Sequence, residues 1–385
     1  MTFQQKFHRP SVDLHRLLSG LFGFLRKNVV LAVAIVLAIA TSCIVPPDAK
    51  YAEYFDWKTL TCLFCTLAVI CALKNIRFFT VLARKIVACT GNLRMAVISL
   101  VYVTFIGSML ISNDMALLTF LPLGYVALTS TGHEKHMAFV FIMQNIAANL
   151  GGMLTPFGNP QNLYLYSKFN IPTGEFMMIM LIPFLASIAL ITICCLFLPA
   201  EKLSLKNEDT YRLPAKRTAI YLLLFAFSIV IVFRLIPYQL GLVLIPLALF
   251  FLDRKALTQV DYGLLATFFC FFIFAGNMAR IPAVSELFSS LLAKNTLLVS
   301  ILSCQVISNV PSAVLLSQFT TDYHSLLLGV NIGGTGTLIA SLASLISFRE
   351  YTAHNPGKSG SYLAKFSAYN FGFVIVLTAL CMLLV

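Results

Sequence analysis

Apolar residues run through the chain in long segments that are separated by short polar ones. Runs such as residues 29–45, 176–198 and 262–278 can cross a hydrocarbon layer of about 30 Å as helices. The two runs 95–129 and 137–166 are interrupted by polar or helix-breaking residues where no polar loop occurs. The pattern predicts an all-α polytopic membrane protein in which some helices stop and restart inside the bilayer.

The clearest interruption is residues 149–163, NLGGMLTPFGNPQNL. Gly151, Gly152, Pro156 and Gly158 break the helix, and Asn159-Pro160 has the N-cap and first-position residues of a helix that restarts. Unwound backbone at membrane depth needs protein or a watery cavity around it. The break therefore indicates a binding site, although glycines that let two helices pack closely are the alternative.

A second stretch, residues 331–344 (NIGGTGTLIASLAS), repeats this pattern. A short Ser-Asn element precedes each stretch. Paired breaks in corresponding halves are typical of secondary transporters with a binding site at the bilayer midplane. The aligned pairs are Asn149 with Asn331, Gly151 with Gly333, Gly152 with Gly334, and Thr155 with Thr337, and the preceding elements are Ser112-Asn113-Asp114 and Ser308-Asn309-Val310.

The run 95–129 fits either two complete spans or a re-entrant hairpin with Ser112-Asn113-Asp114 at its tip. We favour the hairpin because only then does Asp114 meet the broken helix. Residues 296–319 form the corresponding hairpin from the opposite side, after a predicted surface helix at 284–292. The fold expected is two inverted repeats, each with a re-entrant hairpin and a broken transmembrane helix, with about nine full spans plus the two hairpins.

Four segments follow from this organisation. They are a cytoplasmic amphipathic N-terminus (1–28), a first inverted repeat (29–198), a cytoplasmic loop with a linking helix (199–240), and a second inverted repeat (241–385).

The distribution of charged residues predicts the orientation of the protein in the membrane. The net charge is +12, but charged residues are only 11% of the chain and the mean hydropathy is +0.88. The Lys and Arg residues lie in loops beside apolar spans, Arg349 among them, and most fall on one predicted side. They indicate contact with anionic lipid rather than nucleic acid, a cytoplasmic N-terminus, and a multi-pass protein of the bacterial cytoplasmic (inner) membrane.

Asp114 is the one acidic residue that the pattern places deep in the membrane. It either coordinates sodium or carries a proton, unless it is an ordinary loop or N-cap aspartate. No other metal and no cofactor is expected. The predicted ion-binding residues are Ser112, Asn113, Asp114, Asn149, Gly151, Ser308, Asn309, Asn331 and Gly333.

The helices that restart after Asn159 and near Thr337 point positive N-termini at the midplane, which favours a small anion there. A purely capping role for Asn159 remains an alternative. Val310 stands where the first hairpin has an aspartate, so two unequal cation sites are expected. The predicted substrate-binding residues are Thr155, Asn159, Gln161, Asn162, Ser312, Thr335 and Thr337.

Other function classes have little support. The ten cysteines lie mostly in apolar runs, which favours buried thiols over disulfides or a metal site. The histidines fall in termini or loops, so no nucleophile with a base is evident and no enzymatic activity is expected. A GxxxxGK[ST] motif for ATP-driven transport is absent from the sequence.

In this order, the segments ISNDMALLTFLP, NLGGMLTPFGNPQNL, ISNVPSAVLL and NIGGTGTLIASL resemble the ion transporter superfamily. Its members include divalent anion/sodium symporters, citrate permeases, arsenite permeases and sodium/proton antiporters. The resemblance implies an elevator-type transporter that often forms a homodimer. In the dicarboxylate branch each hairpin tip reads Ser-Asn-Thr; Ser112, Asn113, Ser308 and Asn309 match, whereas Asp114 and Val310 do not. The GNPQN segment looks more like the arsenite permease and antiporter branches.

The expected function is secondary active transport of a small anion, a carboxylate or an inorganic oxyanion, coupled to sodium or protons. A sodium/proton antiporter and an arsenite-type efflux permease are the alternatives. The expected partners are thus the anion, the coupling ion and the lipid bilayer.

Overall fold

A computed structural model describes residues 28–88, 90–202 and 212–383, and this part of the chain is helical without a β-sheet. Residues 1–27, which form nearly all of the predicted amphipathic N-terminus, lie outside the described residues. The helices are α1 Val29–Ile44, α2 Trp57–Asn75, α3 Phe78–Ala88, α4 Leu93–Ile111, α5 Asn113–Thr129, α6 Met137–Gly151, α7 Pro160–Lys168, α8 Thr173–Leu196, α9 Ala215–Val232, α10 Tyr238–Leu252, α11 Arg254–Thr258, α12 Tyr262–Ala279, α13 Pro282–Ile307, α14 Asn309–Leu316, α15 Tyr323–Ile332, α16 Leu342–His354 and α17 Ser359–Met382. Short 3₁₀ turns occur at Ala49–Tyr54, Glu134–His136 and Gly152–Leu154.

Eight helical segments in the described part of the chain are long and apolar enough to cross a membrane, so the protein is a polytopic membrane protein. These eight segments are not the nine predicted spans, because two of them, α4 and α13, are arms of the predicted hairpins. The predicted spans at α1 and α10 are shorter apolar helices. The eight are Trp57–Asn75, Leu93–Ile111, Glu134–Leu154, Thr173–Leu196, Ala215–Val232, Tyr262–Ala279, Pro282–Ile307 and Ser359–Met382.

A sharp turn joins two helices at each place where a hairpin is predicted. Helices α4 and α5 meet at Ser112, and α13 and α14 meet at Ser308. The surface helix predicted at 284–292 is the first part of α13, which is interrupted at Asn295 (φ −166°, ψ 94°). The Asn295 Oδ1 accepts the Leu298 backbone N–H at 2.8 Å and so caps the second part of α13, which is the first arm of the hairpin.

The bases of the two hairpins lie at opposite ends of α8. Beside the start of α8, Tyr323 donates a hydrogen bond to Glu175, next to the end of the second hairpin. Just beyond the end of α8, Arg94 of the first hairpin donates to the Leu198 carbonyl at 2.7 Å. Because α8 has 24 residues, about 36 Å of helix separates the two bases.

The broken helix α6–α7 lies at the centre of the molecule. Every residue of α6 except Phe139 is buried, polar Gln144, Asn145 and Asn149 included. By contrast, α9 and α10 leave large apolar side chains such as Leu223 and Phe251 exposed, as helices facing lipid do. The polar residues of α6 therefore point into protein, where they meet the hairpins.

Candidate functional site

The two hairpin tips have the same backbone geometry. Ser112 has φ 70° and ψ 157°, and Ser308 has φ 76° and ψ 159°, a region that residues other than glycine rarely occupy. After each serine, the asparagine side chain accepts the next backbone N–H: Asn113 from Asp114 at 3.0 Å, and Asn309 from Val310 at 2.9 Å. Each tip is thus a strained turn that its own asparagine holds in place.

Each tip is attached to the break of its own broken helix through a threonine. The Thr155 hydroxyl donates to the Met109 carbonyl at 3.0 Å, and the Thr337 hydroxyl donates to the Gln305 carbonyl at 3.0 Å. Both carbonyls belong to the third residue before the tip serine. The two threonines that align in sequence therefore make corresponding contacts in the structure.

The aligned glycines allow hairpin and broken helix to approach closely. A Cβ on Gly151 would collide with the Phe105 carbonyl and the Ser108 hydroxyl, and a Cβ on Gly333 would lie 2.9 Å from the Cys304 side chain. Ser108 and Cys304 each lie four residues before their tip serine. These glycines are needed for contact between helices, as close packing in membranes often requires.

Asparagine side chains join the two breaks to each other. Asn331 donates to the Asn162 Oδ1 at 2.6 Å, and Asn159 donates to the Asn331 Oδ1 at 3.4 Å. Asn149 accepts from Asn113 at 3.1 Å and so links the first break to the first tip. All five side chains are buried, so this amide network fixes the two breaks and the first tip relative to one another.

The two restarts differ from the prediction in one respect. The first helix restarts at Pro160 as predicted, but the Asn159 side chain makes no capping hydrogen bond and bonds to the Asn149 carbonyl and Asn331 instead. The second helix restarts at Leu342, with Ser341 as N-cap, rather than near Thr337. The reason is that the Gln305 side chain binds the backbone of residues 333–337 and keeps it from forming a helix. It accepts the Thr337 N–H at 2.8 Å and donates to the Gly333 and Thr335 carbonyls.

A cavity of about 110 Å³ lies where both tips meet both restarted helices. Asn113 and Asp114 reach it from the first tip, Ser308 and Asn309 from the second, Pro160 and Gln161 from the start of α7, and Leu342 from the start of α16. At its exposed end lie Asp261, just before α12, and Arg349 of α16.

The exposed end of the cavity lies on the side of the first hairpin. The end of α16 packs on the base of that hairpin, where His354 stacks on Tyr125 with ring centroids 3.7 Å apart. The cavity thus opens toward the side of the first hairpin.

The Asp114 carboxyl group faces the backbone N–H of Ala343, in the first turn of α16. Its Oδ1 is buried and has no hydrogen-bond partner. The Oε1 of Gln161, in the first turn of α7, is also buried and without a partner. These oxygens are free to accept a donor or to coordinate a cation.

Five of the predicted site residues line this cavity: Asn113, Asp114, Gln161, Ser308 and Asn309. The other predicted residues surround it in the breaks and tips without lining it. Ser312 pairs with Ser303 at 2.8 Å inside the second hairpin, and the Thr335 hydroxyl donates to the Ile332 carbonyl. The remaining ones are Ser112, Asn149, Gly151, Thr155, Asn159, Asn162, Asn331, Gly333 and Thr337.

Sequence reasoning missed three residues of this region. The sequence predicts a cytoplasmic loop at Arg349, but this residue belongs to α16, where it follows Leu342 by two helical turns and lines the cavity. Asp261 precedes an ordinary apolar span, and nothing in the sequence distinguishes it from other charges beside a span. Gln305, which spans the second break, has a signal in the sequence, because it is the one amide side chain inside the apolar run 296–307.

Comparison with known proteins gives the family of the chain. The sequence profile of the citrate transporter family matches residues 18–325, which includes the first broken helix and both hairpins. The chain belongs to the citrate transporter family. An uncharacterized transporter of Methanocaldococcus jannaschii is 35% identical over 297 residues, covering 76% of this chain and 81% of that protein. The inner membrane protein YbiR of Escherichia coli is 28% identical over 323 residues, covering 82% of this chain and 86% of that protein.

A shorter match, to an uncharacterized transporter of Haemophilus influenzae, is 36% identical over 140 residues and covers 34% of this chain. Membership of the citrate transporter family identifies the chain as a membrane transporter. It also confirms the resemblance to the ion transporter superfamily that the four motifs indicated.

Proposed function

We propose that the protein is a secondary active transporter that moves a small anion, a carboxylate or an inorganic oxyanion, together with sodium ions or protons. The observation that carries this proposal is the cavity between the two hairpin tips and the two restarted helices. Helix N-termini carry partial positive charge and N–H groups that have no partner within the helix, which suit an anion. The cytoplasmic membrane of a bacterium is the proposed location, and the description of YbiR as an inner membrane protein supports it.

The coupling ion binds beside the anion in this proposal. Three buried acceptor oxygens at the first hairpin tip and the first break have no hydrogen-bond partner. They are the Asp114 Oδ1, the Asn159 Oδ1 and the Gln161 Oε1. Sodium takes such oxygens as ligands, and a proton needs only the carboxyl group of Asp114. Because Val310 replaces the acid at the second tip, the first tip is the stronger cation site.

We further propose that the two halves are inverted repeats that move together as the carrier part of an elevator. The matching tip angles, the paired threonine contacts and the hairpin bases at opposite ends of α8 support this arrangement. A homodimer would supply the fixed frame, as the family resemblance implies.

The experiment is uptake of radiolabelled citrate and of labelled succinate, phosphate and sulfate into proteoliposomes under an imposed sodium gradient or pH gradient. Uptake of one anion that requires one of the gradients supports the proposal, and it names the substrate and coupling ion. Asp114→Asn should remove the dependence on the gradient, since it deletes the carboxyl group at the tip. Wild-type gradient dependence in that variant would reject the assignment of Asp114.

One observation favours a second function, sodium/proton antiport. Two carboxyl groups, Asp114 and Asp261, share the cavity, whereas Arg349 is its single cation among the described residues. An antiporter needs no anion, so proteoliposomes loaded with acid and a pH dye distinguish the two functions. Internal alkalinisation after a sodium pulse without any candidate anion would favour antiport.

A further inference from the structure

The two restarted helices present unequal N-termini to the cavity. At the start of α16, the Ser341 hydroxyl accepts the Ser344 N–H at 3.2 Å, and the Ala343 N–H faces the carboxyl group of Asp114. At the start of α7, Pro160 has no N–H, and the second hairpin brings Val310 rather than an acid. The protein's own carboxyl group thus lies at one of the two N-termini that can bind an anion.

We propose that the carboxyl group of Asp114 competes with the transported anion for the N-terminus of α16. This inference rests on the proposed function. The ionised carboxyl group occupies the N-terminus of α16 and repels a second negative charge from the Ala343 N–H. Protonation of Asp114 removes its charge, and an oxyanion then takes the amide. Anion and proton therefore load together, because each binds more tightly once the other has bound.

Two features beyond the helix N-terminus support a ligand at this place. Gln161 is 1% exposed and lines the cavity, and its Oε1 has no partner, so it can accept from a protonated oxygen of the ligand or of Asp114. The Asp114 Oδ1, also without a partner, is the oxygen that takes the proton. A cavity of about 110 Å³ has room for a small oxyanion beside this carboxyl group.

The pH response should belong to Asp114. The other charged side chains that line the cavity in the described part of the chain are Asp261 and Arg349, both at its exposed end. The described parts of α1, α7 and α14 that line the cavity bring no titratable side chain to it, and neither α4 nor α6 lines it. Asp261 lies at the exposed end of the cavity, whereas the carboxyl group of Asp114 faces the Ala343 N–H.

The test compares binding of sulfate and of citrate to the purified wild-type protein and to Asp114→Asn, at about pH 8 and about pH 5. Sulfate remains a dianion over this range, and the ratio of variant to wild-type affinity cancels the ionisation of citrate itself. At about pH 8 we expect Asp114→Asn to bind at least about tenfold more tightly, since the competing charge is gone. Near pH 5 the two proteins should bind equally.

Asp261→Asn is the matched control, because it removes the same charge from the same cavity but not from the Ala343 N–H. It should keep the pH dependence of the wild-type protein. Equal affinities of wild type and Asp114→Asn at about pH 8 would overturn the proposal. So would failure of Asp114→Asn to bind either anion at either pH.

A second measurement uses only the wild-type protein and therefore does not depend on how a variant folds. Saturation with the bound anion at about pH 7, in weakly buffered solution, should take up close to one proton per anion, read with a pH dye. Anion binding without proton uptake would refute the competition. Such a result would leave anion transport itself intact, whereas loss of gradient-driven uptake for every anion would reject the proposed function instead.

Discussion

Replacing Gly151 by alanine tests the contact between the first hairpin and the first break. A Cβ at this position would meet the Phe105 backbone carbonyl as well as the Ser108 hydroxyl. A serine side chain can rotate away, but a backbone carbonyl in α4 cannot, so α4 and α6 must separate. The substitution therefore moves the first tip relative to the break.

The magnitude follows from two opposing terms. Overpacking of a well-packed helix contact costs about 1–3 kcal/mol, and exchanging glycine for alanine in a helix regains up to about 1 kcal/mol. We expect Gly151→Ala to destabilise the protein by about 1–2 kcal/mol on balance. Transport should fall as well, because the cavity residues Asn113 and Asp114 are joined to α4 through Ser112 and move when α4 is displaced.

Gly372→Ala is the matched control. Gly372 lies in α17, is exposed, and has no atom within 4 Å of a Cβ built on it. This variant should gain roughly 0.5–1 kcal/mol from helix propensity and should transport normally.

The assay is thermal unfolding of both variants in the same detergent, followed by circular dichroism, with transport measured on the same preparations. The two melting temperatures should move in opposite directions. An unchanged or raised melting temperature for Gly151→Ala would refute the close approach of α6 to α4.

Three further predictions concern the tips, the asparagine network and the topology. Ser112→Gly should raise the melting temperature, because glycine removes about 1–3 kcal/mol of backbone strain at φ 70°. Transport should fall if the serine hydroxyl binds a ligand. A lower melting temperature would show that the tip is not strained. Asn331→Ala should destabilise by about 1–3 kcal/mol, because the buried Asn162 Oδ1 loses its donor and Asn159 keeps only its bond to the Asn149 carbonyl. An effect within about 0.5 kcal/mol in chemical or thermal unfolding would contradict the network. Cysteines introduced at exposed Ser130 and Thr321, with exposed Cys43 changed to serine, should label from opposite sides of the membrane in intact cells, and labelling of both from one side would contradict the opposed hairpins.

Local signals in the sequence were enough to find the breaks and the tips. Pro160 begins α7 as predicted, because an Asn-Pro pair after glycines marks a helix start independently of the rest of the fold. The aligned Thr155 and Thr337 make corresponding contacts, as an internal repeat leads one to expect.

Long-range contacts explain what the sequence did not predict. The second restart is displaced to Leu342 because Gln305, from a different helix, binds the backbone of residues 333–337, and Gly336 adopts φ 117° there. Arg349 and Asp261 look like ordinary loop charges in the sequence, and only the packing of α12 and α16 brings both to the cavity. Hydrophobic periodicity describes one helix at a time and therefore carries no information about such pairs.

The central claim is that the cavity takes an anion and a coupling ion together. The most direct test is a sodium pulse onto proteoliposomes with an acidic interior that holds a pH dye, first without any anion and then with the anion that the uptake experiment selects. The account predicts no change in internal pH without the anion. Once the anion is added outside, a sodium-coupled carrier takes it up under the sodium gradient, and a proton-coupled carrier takes it up when the exterior is made more acidic than the interior. Rapid internal alkalinisation in the absence of any candidate anion would contradict it.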